Sequence, residues 1–162
     1  MHANRILHRD IKTINMFLAR EDTIKIGDLG VARELNQTNN MAHTIVGTPY
    51  YLSPELCEEK PYNNKSDIWS LGCVLYELCT LRHPFEATNQ GALALKILRC
   101  QYNPIPATYS RSLKDLVDKL LTKDYRIRPD IEEVLSMDSV QEKMRLYGYE
   151  KPSADTLKWA RA

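Results

Sequence analysis

The most apolar stretch of the chain runs from Ile68 to Cys79, where nine of twelve positions are hydrophobic. A helix that is apolar on nearly every face is usually a buried one, so this stretch predicts the central helix of a core. Its large side chains contribute roughly 1.5–3 kcal/mol each on burial, which sums to the order of 10 kcal/mol after a discount for the compact unfolded chain. The stretch is too short to span a bilayer and includes the charged Glu77.

Amphipathic patterns predict three more helices towards the C-terminus, each with apolar residues on one side. The first covers residues 89–99. The second and third each follow an expected capping box, in which a helix-starting side chain and a side chain three residues later bond each other's backbone. These boxes are formed by Ser112 with Asp115 and by Asp130 with Glu133. The chain is therefore expected to be mainly α-helical.

A different pattern lies near the N-terminus, where an apolar run at residues 16–18 and an alternating segment at residues 23–26 flank a charged turn. Two short segments around a polar turn predict a β-hairpin. The hairpin would bring Asn15 and Asp28, which flank it, to the same end and near Asp10. The side-chain oxygens of Asn15 and Asp28 could bind magnesium, and they would lie beside a base, Asp10, and a cation, Lys12. Phosphoryl transfer from a magnesium nucleotide requires these groups together.

Length and composition limit the classes of protein that need to be considered. The 162 residues are 43% hydrophobic, which is enough for the core of about one domain. A net charge of +1 gives no broad attraction to nucleic acid or to a membrane surface. No signal peptide is visible, and the four cysteines have no C-x-x-C spacing. We therefore expect a soluble, cytoplasmic protein with reduced thiols rather than a disulfide or a zinc site.

The polar motifs around the predicted hairpin have a spacing that resembles eukaryotic protein kinases. His8-Arg9-Asp10 is followed by Asn15, and Asp28-Leu29-Gly30 comes thirteen residues after that asparagine. By this resemblance residues 8–15 are a catalytic loop, and Asp28 begins a magnesium loop. A lone His-Arg-Asp triplet would more often be an ordinary surface loop, but the joint pattern is hard to obtain by accident.

The resemblance implies a role for each polar residue of this group. Asp10 would orient a substrate hydroxyl and accept its proton, while Lys12 would steady the transferring phosphoryl group. Asn15 and Asp28 would hold the magnesium ions of bound ATP. A lysine at position 12 also resembles serine/threonine kinases rather than tyrosine kinases, so the implied partners are proteins that are phosphorylated on serine or threonine.

A polar stretch of about twenty residues, from 31 to 51, separates the hairpin from the helical part. Loops of this length are uncommon in compact domains unless they are functional or mobile. The stretch lies within residues 28–55, which resemble the activation segment of the family. There Thr48 would contact Asp10 and Lys12 and help to admit serine or threonine substrates. The plainer alternative is that Thr48 is a turn threonine before a proline.

The same segment contains the expected activating phosphorylation site. Thr44 lies four residues before Thr48, at the position of the family's activation-segment phosphothreonine. A phosphate adds about −1.5 to −2 charge, and the guanidinium of Arg9 offers it a bidentate donor. The rival sites are Thr38, which is further from Arg9 along the loop, and Thr48, whose hydroxyl would be needed at the active site. An ordinary loop threonine is the alternative interpretation of Thr44.

Longer motifs narrow the resemblance to the NIMA-related serine/threonine kinases. The motifs are residues 47–55, with sequence GTPYYLSPE, and residues 61–72, with sequence PYNNKSDIWSLG. By this resemblance Asp67 would accept N–H bonds from the turn at His8 and Arg9, although an ordinary helix cap explains the same position. Arg128 would pair with Glu55, and loss of one partner of such a buried pair costs roughly 3–5 kcal/mol.

The resemblance covers residues 1–137 and matches the larger lobe of a kinase, with residues 138–162 as a charged tail or linker. The expected fold is mainly α, a protein-kinase-like C-terminal lobe in which a short β-hairpin carries the catalytic and magnesium loops. No glycine-rich loop or strand lysine precedes His8. Because the N-terminal lobe is absent, we expect the chain alone to be inactive and to bind Mg-ATP weakly. The resemblance also implies the cytoskeleton, centrosome or cilium as locations.

Two alternatives stay open beside a serine/threonine kinase. One is a truncated, non-catalytic interaction module, and the other is a helical domain that resembles kinases by fold alone. The joint presence of Asp10, Asn15 and Asp28 argues strongly against the second. It argues against the first as a design, though not as the behaviour of this chain alone. Kinases that favour basic residues upstream of the target commonly carry a glutamate just before the loop asparagine. The apolar Ile14 at that position predicts a hydrophobic residue three positions before the phosphoacceptor.

Overall fold

The computed structural model describes residues 1–20, 23–34 and 49–150, apart from the side chains of residues 33 and 34. These residues form a mostly helical fold with two small antiparallel sheets of two strands each, β1 with β4 and β2 with β3. The helices are α1 (Pro54–Cys57), α2 (Asn64–Thr80), α3 (Gln90–Arg99), α4 (Arg111–Leu120), α5 (Ile131–Ser136) and α6 (Asp138–Leu146). The strands are β1 (Ile6–Leu7), β2 (Met16–Leu18), β3 (Ile24–Ile26) and β4 (Arg33–Glu34). Within these described ranges no helix is long and apolar enough to cross a membrane.

Helix α2 contains the apolar stretch predicted from the sequence and extends it at both ends. It begins at a capping box, because the Asn63 side chain accepts first-turn N–H groups and the Ser66 hydroxyl accepts the Asn63 N–H in return. It ends at Leu81, whose φ of 57° lies in the left-handed region. Trp69 and Cys73 on this helix are fully buried, so α2 is the centre of the core.

Two groups of buried side chains pack around α2. The larger group surrounds Trp69, whose ring is stacked on Phe85 with centroids 5.6 Å apart. Its members from α3 and from the end of α4 are Leu93, Ile97, Val117 and Leu121. The buried members of the smaller group are Ile68, Leu120 and Val134. Val140 of α6 packs against this smaller group, so the segment after residue 137 begins as a helix in contact with the core.

Gly72 sets how closely α2 approaches the end of α4. A Cβ atom at this position would lie 2.9 Å from the Cβ of Leu120 and 3.0 Å from the Cδ2 of Leu121. Both leucines are buried and close-packed, so neither side chain can move aside without disturbing its neighbours. The close contact between these two helices therefore requires a residue without a side chain at position 72.

The capping predictions hold at one helix and are wrong at another. Asp130 and Glu133 form the predicted reciprocal box at the start of α5. At α4 the N-cap is Ser110, whose hydroxyl accepts a first-turn N–H, so the box predicted between Ser112 and Asp115 does not form. Two serines compete for this cap, and the helix begins at residue 111. That start places Ser112 inside the first turn instead of before it.

Strands β2 and β3 form the hairpin that the sequence predicts. Met16 lies opposite Ile26 in the antiparallel register. One residue further out, the Gly27 N–H donates to the carbonyl oxygen of Asn15 at 2.9 Å. Asn15 and Asp28 are therefore held at the same end of the hairpin, where the loop that begins at residue 8 also arrives.

Candidate functional site

The loop from His8 to Asn15 is tied to the hairpin by its first side chain, which is buried. His8 Nε2 lies 3.1 Å from the carbonyl oxygen of Gly27, and the Asp10 N–H donates to His8 Nδ1 at 3.3 Å. The tautomer that carries its proton on Nε2 satisfies both hydrogen bonds at once. His8 therefore fixes the loop against the residue that precedes Asp28.

Asp10, Lys12 and Asn15 form a compact polar group on this loop. Asp10 Oδ2 lies 2.8 Å from Lys12 Nζ and accepts a hydrogen bond from Asn15 Nδ2 at 2.9 Å. The same Asn15 nitrogen donates to the backbone oxygen of Asp10 at 2.8 Å. Among the described residues, none donates to the other carboxylate oxygen, Oδ1. Because the side chain of Asp10 is 29% exposed, a second molecule can reach it.

Asp28 lies just beyond the hairpin in a left-handed backbone conformation, with a φ of 59°. Few residues other than glycine adopt this conformation, although aspartate tolerates it better than most. The Asp28 Oδ1 accepts the N–H of Gly30 at 3.3 Å, which stabilises a short turn. The side chain is exposed. Asp28 therefore presents a carboxylate to solvent at the end of the hairpin where Asn15 lies.

These two residues offer a donor set that fits magnesium bound together with a nucleotide. Asn15 uses its Nδ2 on Asp10, which leaves its Oδ1 as an acceptor, and Asp28 supplies a carboxylate. Magnesium is commonly held by one or two protein oxygens, and water and substrate phosphates complete its shell. The described residues contain no group of three His, Cys, Asp or Glu side chains that could hold a metal. Two side-chain oxygens would leave the rest of a magnesium shell to water and to phosphate oxygens.

Asp67, in the first turn of α2, is fully buried and accepts hydrogen bonds from four residues. Its Oδ2 accepts the His8 N–H and its Oδ1 accepts the Arg9 N–H, both at 2.9 Å. The Tyr62 hydroxyl donates at 2.6 Å, and His2 Nε2 lies 2.7 Å away. Burial raises the pKa of Asp67, but these hydrogen bonds outweigh burial and hold the pKa below its ordinary value. Asp67 is therefore an ionised anchor for the backbone of the loop.

The anchor supports an unfavourable backbone conformation at Arg9. The φ of Arg9 is 69°, in the left-handed region, which costs an L-residue other than glycine roughly 1–2 kcal/mol. The bond from the Arg9 N–H to Asp67 offsets that cost. The guanidinium carbon of Arg9 lies 5.7 Å from the ring centroid of Tyr62, within range of a cation–π interaction. The backbone and the side chain of Arg9 are thus both held near the start of α2.

Glu55 and Arg128 form a buried bidentate ion pair, with N–O distances of 2.9 and 3.0 Å. The Ser66 hydroxyl also donates to Glu55, at 2.7 Å. Arg128 donates further to three backbone oxygens, those of Lys65, Thr122 and Lys123. Burial raises the pKa of Glu55, but the guanidinium and the hydroxyl outweigh it, so the pKa lies below its ordinary value. The pair ties α1 to α2 and to the loop after α4.

Tyr51 links the loop to the C-terminal half of α2. Its hydroxyl lies 3.0 Å from the Thr13 hydroxyl and donates to Glu77 Oε2. Burial raises the pKa of Tyr51 to about 12, and the bond to the Glu77 carboxylate adds to this effect. Next to it, the ring of His83 is stacked on Tyr50 with centroids 4.0 Å apart and an 8° interplanar angle. Residues 50 and 51 are thus fixed between the loop and the segment that follows α2.

The structure brings together many of the residues that the sequence singled out, but it does not reach all of them. Thr38, Thr44 and Thr48 lie outside the described residues. Sequence reasoning missed His2 and Tyr62 as partners of Asp67. It also missed Ser66 as a partner of Glu55. Tyr62 and Ser66 lie inside the motif at residues 61–72 and could have been noticed there, whereas His2 is 65 residues from Asp67 and gave no signal.

Comparisons with known proteins give a consistent result. Residues 1–140 match the protein kinase domain family. Mouse serine/threonine-protein kinase Nek1 is 50% identical over 147 residues, which cover 91% of this chain and 12% of Nek1. Human Nek5 is 54% identical over 136 residues, covering 83% of this chain and 19% of Nek5. The probable serine/threonine-protein kinase nek3 of Dictyostelium discoideum is 50% identical over 144 residues, 13% of its length. The chain thus spans less than a fifth of each of these relatives.

Proposed function

This chain belongs to the protein kinase family, with NIMA-related serine/threonine kinases among its relatives, and on that premise we propose that it supplies the C-terminal lobe of such an enzyme. The enzyme transfers the γ-phosphate of ATP to serine or threonine of protein substrates. Residues 1–137 form the lobe, residues 8–15 its catalytic loop and residues 28–55 its activation segment. The observation that carries the proposal is the arrangement of Asp10, whose Oδ2 is held by Lys12 and Asn15 while Oδ1 is left for a substrate.

In this proposal Asp10 acts on the substrate hydroxyl. With Oδ2 engaged by two donors, Oδ1 accepts the hydroxyl hydrogen, orients the oxygen for attack and takes its proton. Lys12, 2.8 Å from the carboxylate, is a compact cation that moves between Asp10 and the oxygens of the transferring phosphoryl group. Thr48 approaches the same two residues and favours serine and threonine. His8 and Asp67 act indirectly, because they hold the backbone on which Asp10 is placed.

Asn15 and Asp28 would hold the magnesium of bound ATP through their side-chain oxygens. When bound, the ion neutralises charge on the phosphate oxygens. The hydrogen bond from Gly27 to Asn15 keeps the two ligands at one end of the hairpin. The bond from Asn15 Nδ2 to Asp10 orients the amide so that its oxygen, and not its nitrogen, is available to the ion. Asp28 and Asn15 are thus ligands that need the nucleotide to complete a site.

The hairpin surface supports the proposal that a further lobe covers it. Large apolar side chains are exposed to between 48% and 74% along this part of the chain, and concentrated apolar exposure is typical of an interaction surface. They are Ile14, Phe17, Leu18, Ile24, Ile26, Leu29 and Val31. A nucleotide-binding lobe placed here would bury them and close the ATP site. The second candidate function is a non-catalytic interaction module, which would use the same surface to bind a regulator. A measurement of kinase activity distinguishes it from the first.

Regulation and substrate choice follow from two residues on the catalytic loop. Phosphate on Thr44 binds Arg9 and orders the activation segment around Thr48. Thr44→Ala and Arg9→Ala should then lower activity by similar factors, and the double variant should be little worse than either. Ile14 is 74% exposed beside Asn15 and packs an aliphatic residue three positions before the phosphoacceptor. Selection of arginine at that position in a peptide library would contradict this specificity.

The deciding experiment joins this chain to the N-terminal lobe of mouse Nek1 and measures phosphate transfer to a serine peptide. The fusion should be active, the chain alone should be inactive, and Asp10→Asn should lower turnover at least 100-fold. Asp115→Asn is the matched control, because Asp115 is an exposed aspartate on α4. Turnover that persists in the Asp10→Asn fusion would refute the catalytic assignment. An inactive fusion that binds Mg-ATP and is folded would favour the interaction module.

A further inference from the structure

A cleft of about 420 Å³ lies between the end of α2 and helix α3, outside the group around Asp10. Its walls come from the last turn of α2, from the loop that follows it and from the C-terminal end of α3 and the residues after it. The side chains that matter here are Tyr76, Arg82, His83, Glu86, Lys96 and Arg99. We propose that this cleft binds a phosphorylated serine or threonine of a protein substrate, at a distance from the residue that the enzyme phosphorylates.

The cleft concentrates positive charge on a chain that is nearly neutral. Three cationic side chains, Arg82, Lys96 and Arg99, line it against one carboxylate, Glu86, while the whole chain has a net charge of only +1. Lys96 Nζ donates to the backbone oxygen of Glu86 at 2.6 Å, which fixes the ammonium at the cleft and leaves two of its donors free. Within the described residues, the guanidinium groups of Arg82 and Arg99 form no ion pair with a carboxylate. Both are therefore available to a ligand.

A phosphomonoester matches this arrangement better than a carboxylate. It carries about −1.5 to −2 charge and three acceptor oxygens, whereas a carboxylate carries one charge and two oxygens. Two arginine forks and one ammonium offer more donors than a single carboxylate can use, and arginine binds phosphate in a bidentate manner. Tyr76, whose side chain is buried, also lines the cleft. The volume is large enough for a phosphorylated side chain with its neighbouring residues.

The cleft is continuous with the residues that lie next to the candidate catalytic loop. His83 is shared between the two, because its ring lines the cleft and is stacked on Tyr50. Tyr51, the next residue, reaches Thr13 of the loop through its hydroxyl. A substrate segment that crosses Tyr50 would therefore lie beside one wall of the cleft. If the proposed kinase function holds, the cleft gives the enzyme a preference for substrates that another kinase has already phosphorylated. This inference therefore rests on the proposed function.

Binding is tested on the chain itself, without any catalytic step. The probe is a fluorescein-labelled peptide of sequence Gly-Ala-pSer-Ala-Gly, and its dissociation constant is measured by fluorescence anisotropy beside those of the serine and aspartate peptides. The variant is Arg82→Gln with Arg99→Gln. The matched control, Arg111→Gln with Arg145→Gln, removes the same charge from exposed arginines of α4 and α6 that do not line the cleft.

The phosphopeptide should bind at least about tenfold tighter than the serine peptide, and the cleft variant should remove most of this difference while the control keeps it. Equal binding of the two peptides, or equal losses in variant and control, would overturn the proposal. Inorganic phosphate that binds as tightly as the phosphopeptide would also overturn it, because the site would then take the free ion. In the Nek1-lobe fusion, the cleft variant should raise KM for a phosphorylated substrate and leave kcat unchanged. An inactive fusion would remove the kinase proposal but not the binding result.

Discussion

Glu55 and Asp67 are both buried carboxylates near the start of α2, yet their partners are of different kinds. Glu55 is bound by the guanidinium of Arg128 and by a serine hydroxyl, so its bonds join parts of the helical scaffold. Asp67 is bound by two backbone N–H groups of the candidate catalytic loop and by two side chains. A buried charge that joins scaffold to scaffold acts on stability, whereas one that holds a loop backbone acts on the geometry of a site.

The largest effect is expected at Arg128. Its replacement by alanine leaves the Glu55 carboxylate and three backbone oxygens without their donors in the core. We expect a loss of at least 3–5 kcal/mol in the free energy of unfolding, roughly the cost of breaking a buried pair. Urea denaturation followed by tryptophan fluorescence measures it. Arg111→Ala, at a side chain 91% exposed, is the control and should change stability by less than about 0.5 kcal/mol. A loss below about 1 kcal/mol at Arg128 would contradict the assignment to scaffold stability.

Asp67→Asn should separate site geometry from stability. Asparagine keeps the size of the side chain, but its amide nitrogen faces donors that need an acceptor. We expect a loss of about 1–3 kcal/mol in unfolding free energy. Activity of the Nek1-lobe fusion should fall more than tenfold even where the variant is fully folded, since Arg9 relaxes from its left-handed conformation. Glu55→Gln makes the same chemical change at the other carboxylate. For a given loss of unfolding free energy, it should lower the activity of the fusion less than Asp67→Asn does. If the two variants lose activity in the same proportion to stability, the two carboxylates do not have separate roles.

Both carboxylates should make the fold sensitive to acid in the same direction. Each has a pKa below its ordinary value of 3.8 for Asp67 or 4.5 for Glu55, so each binds fewer protons in the folded state than in the unfolded state. Their contribution is therefore fully present above the ordinary values and is lost as the pH falls through them towards the lowered ones. Unfolding free energy should change little between about pH 6 and pH 5 and then fall as the pH is lowered to about 3. Glu55→Gln should flatten this decline, and a profile as steep as that of the parent chain would contradict the assignment.

The smallest expected effects come from the hydroxyl partners. Tyr62→Phe removes one of the donors to Asp67, and Ser66→Ala removes one of the donors to Glu55. Each should cost about 1 kcal/mol, because other donors remain on both carboxylates. The comparison predicts that only Tyr62→Phe also lowers activity of the fusion, by a few-fold. A loss of activity in Ser66→Ala as large as that in Tyr62→Phe, measured under folded conditions, would argue against two separate roles.

Local patterns explain how much of the fold was predictable. The stretch from Ile68 to Cys79 predicts α2 because most of its positions are buried or partly buried and few of them are polar, although Leu78 is exposed. The hairpin, with Asn15 and Asp28 at one end, follows from two short segments around a polar turn. The cap of α4 was assigned to the wrong serine because Ser110 and Ser112 both satisfy the local rule. Which one starts the helix depends on tertiary packing that a local rule does not see.

The candidate site was predictable where its residues are close in sequence. Asp10, Lys12 and Asn15 lie within six residues, so one motif identifies all three. The contacts of Asp67 with the loop came from a family resemblance and not from any pattern in the chain. The role of His2 could not be deduced, because a histidine 65 residues from its partner has no local signature. The basic cleft was also missed, since Arg82 and Arg99 belong to separate segments that only the fold brings together.

The bonds from Asp67 to His8 and Arg9 also determine when the loop can take its shape during synthesis. These contacts span 59 and 58 residues, so the loop leaves the ribosome well before the residue that holds it. At about 5–20 residues per second, that interval is roughly 3–12 s. For this time the carboxylate of Asp67 is not yet available to the backbone N–H groups of His8 and Arg9. The candidate catalytic loop can therefore take this shape only after the start of α2 has been made, although the loop itself is made earlier.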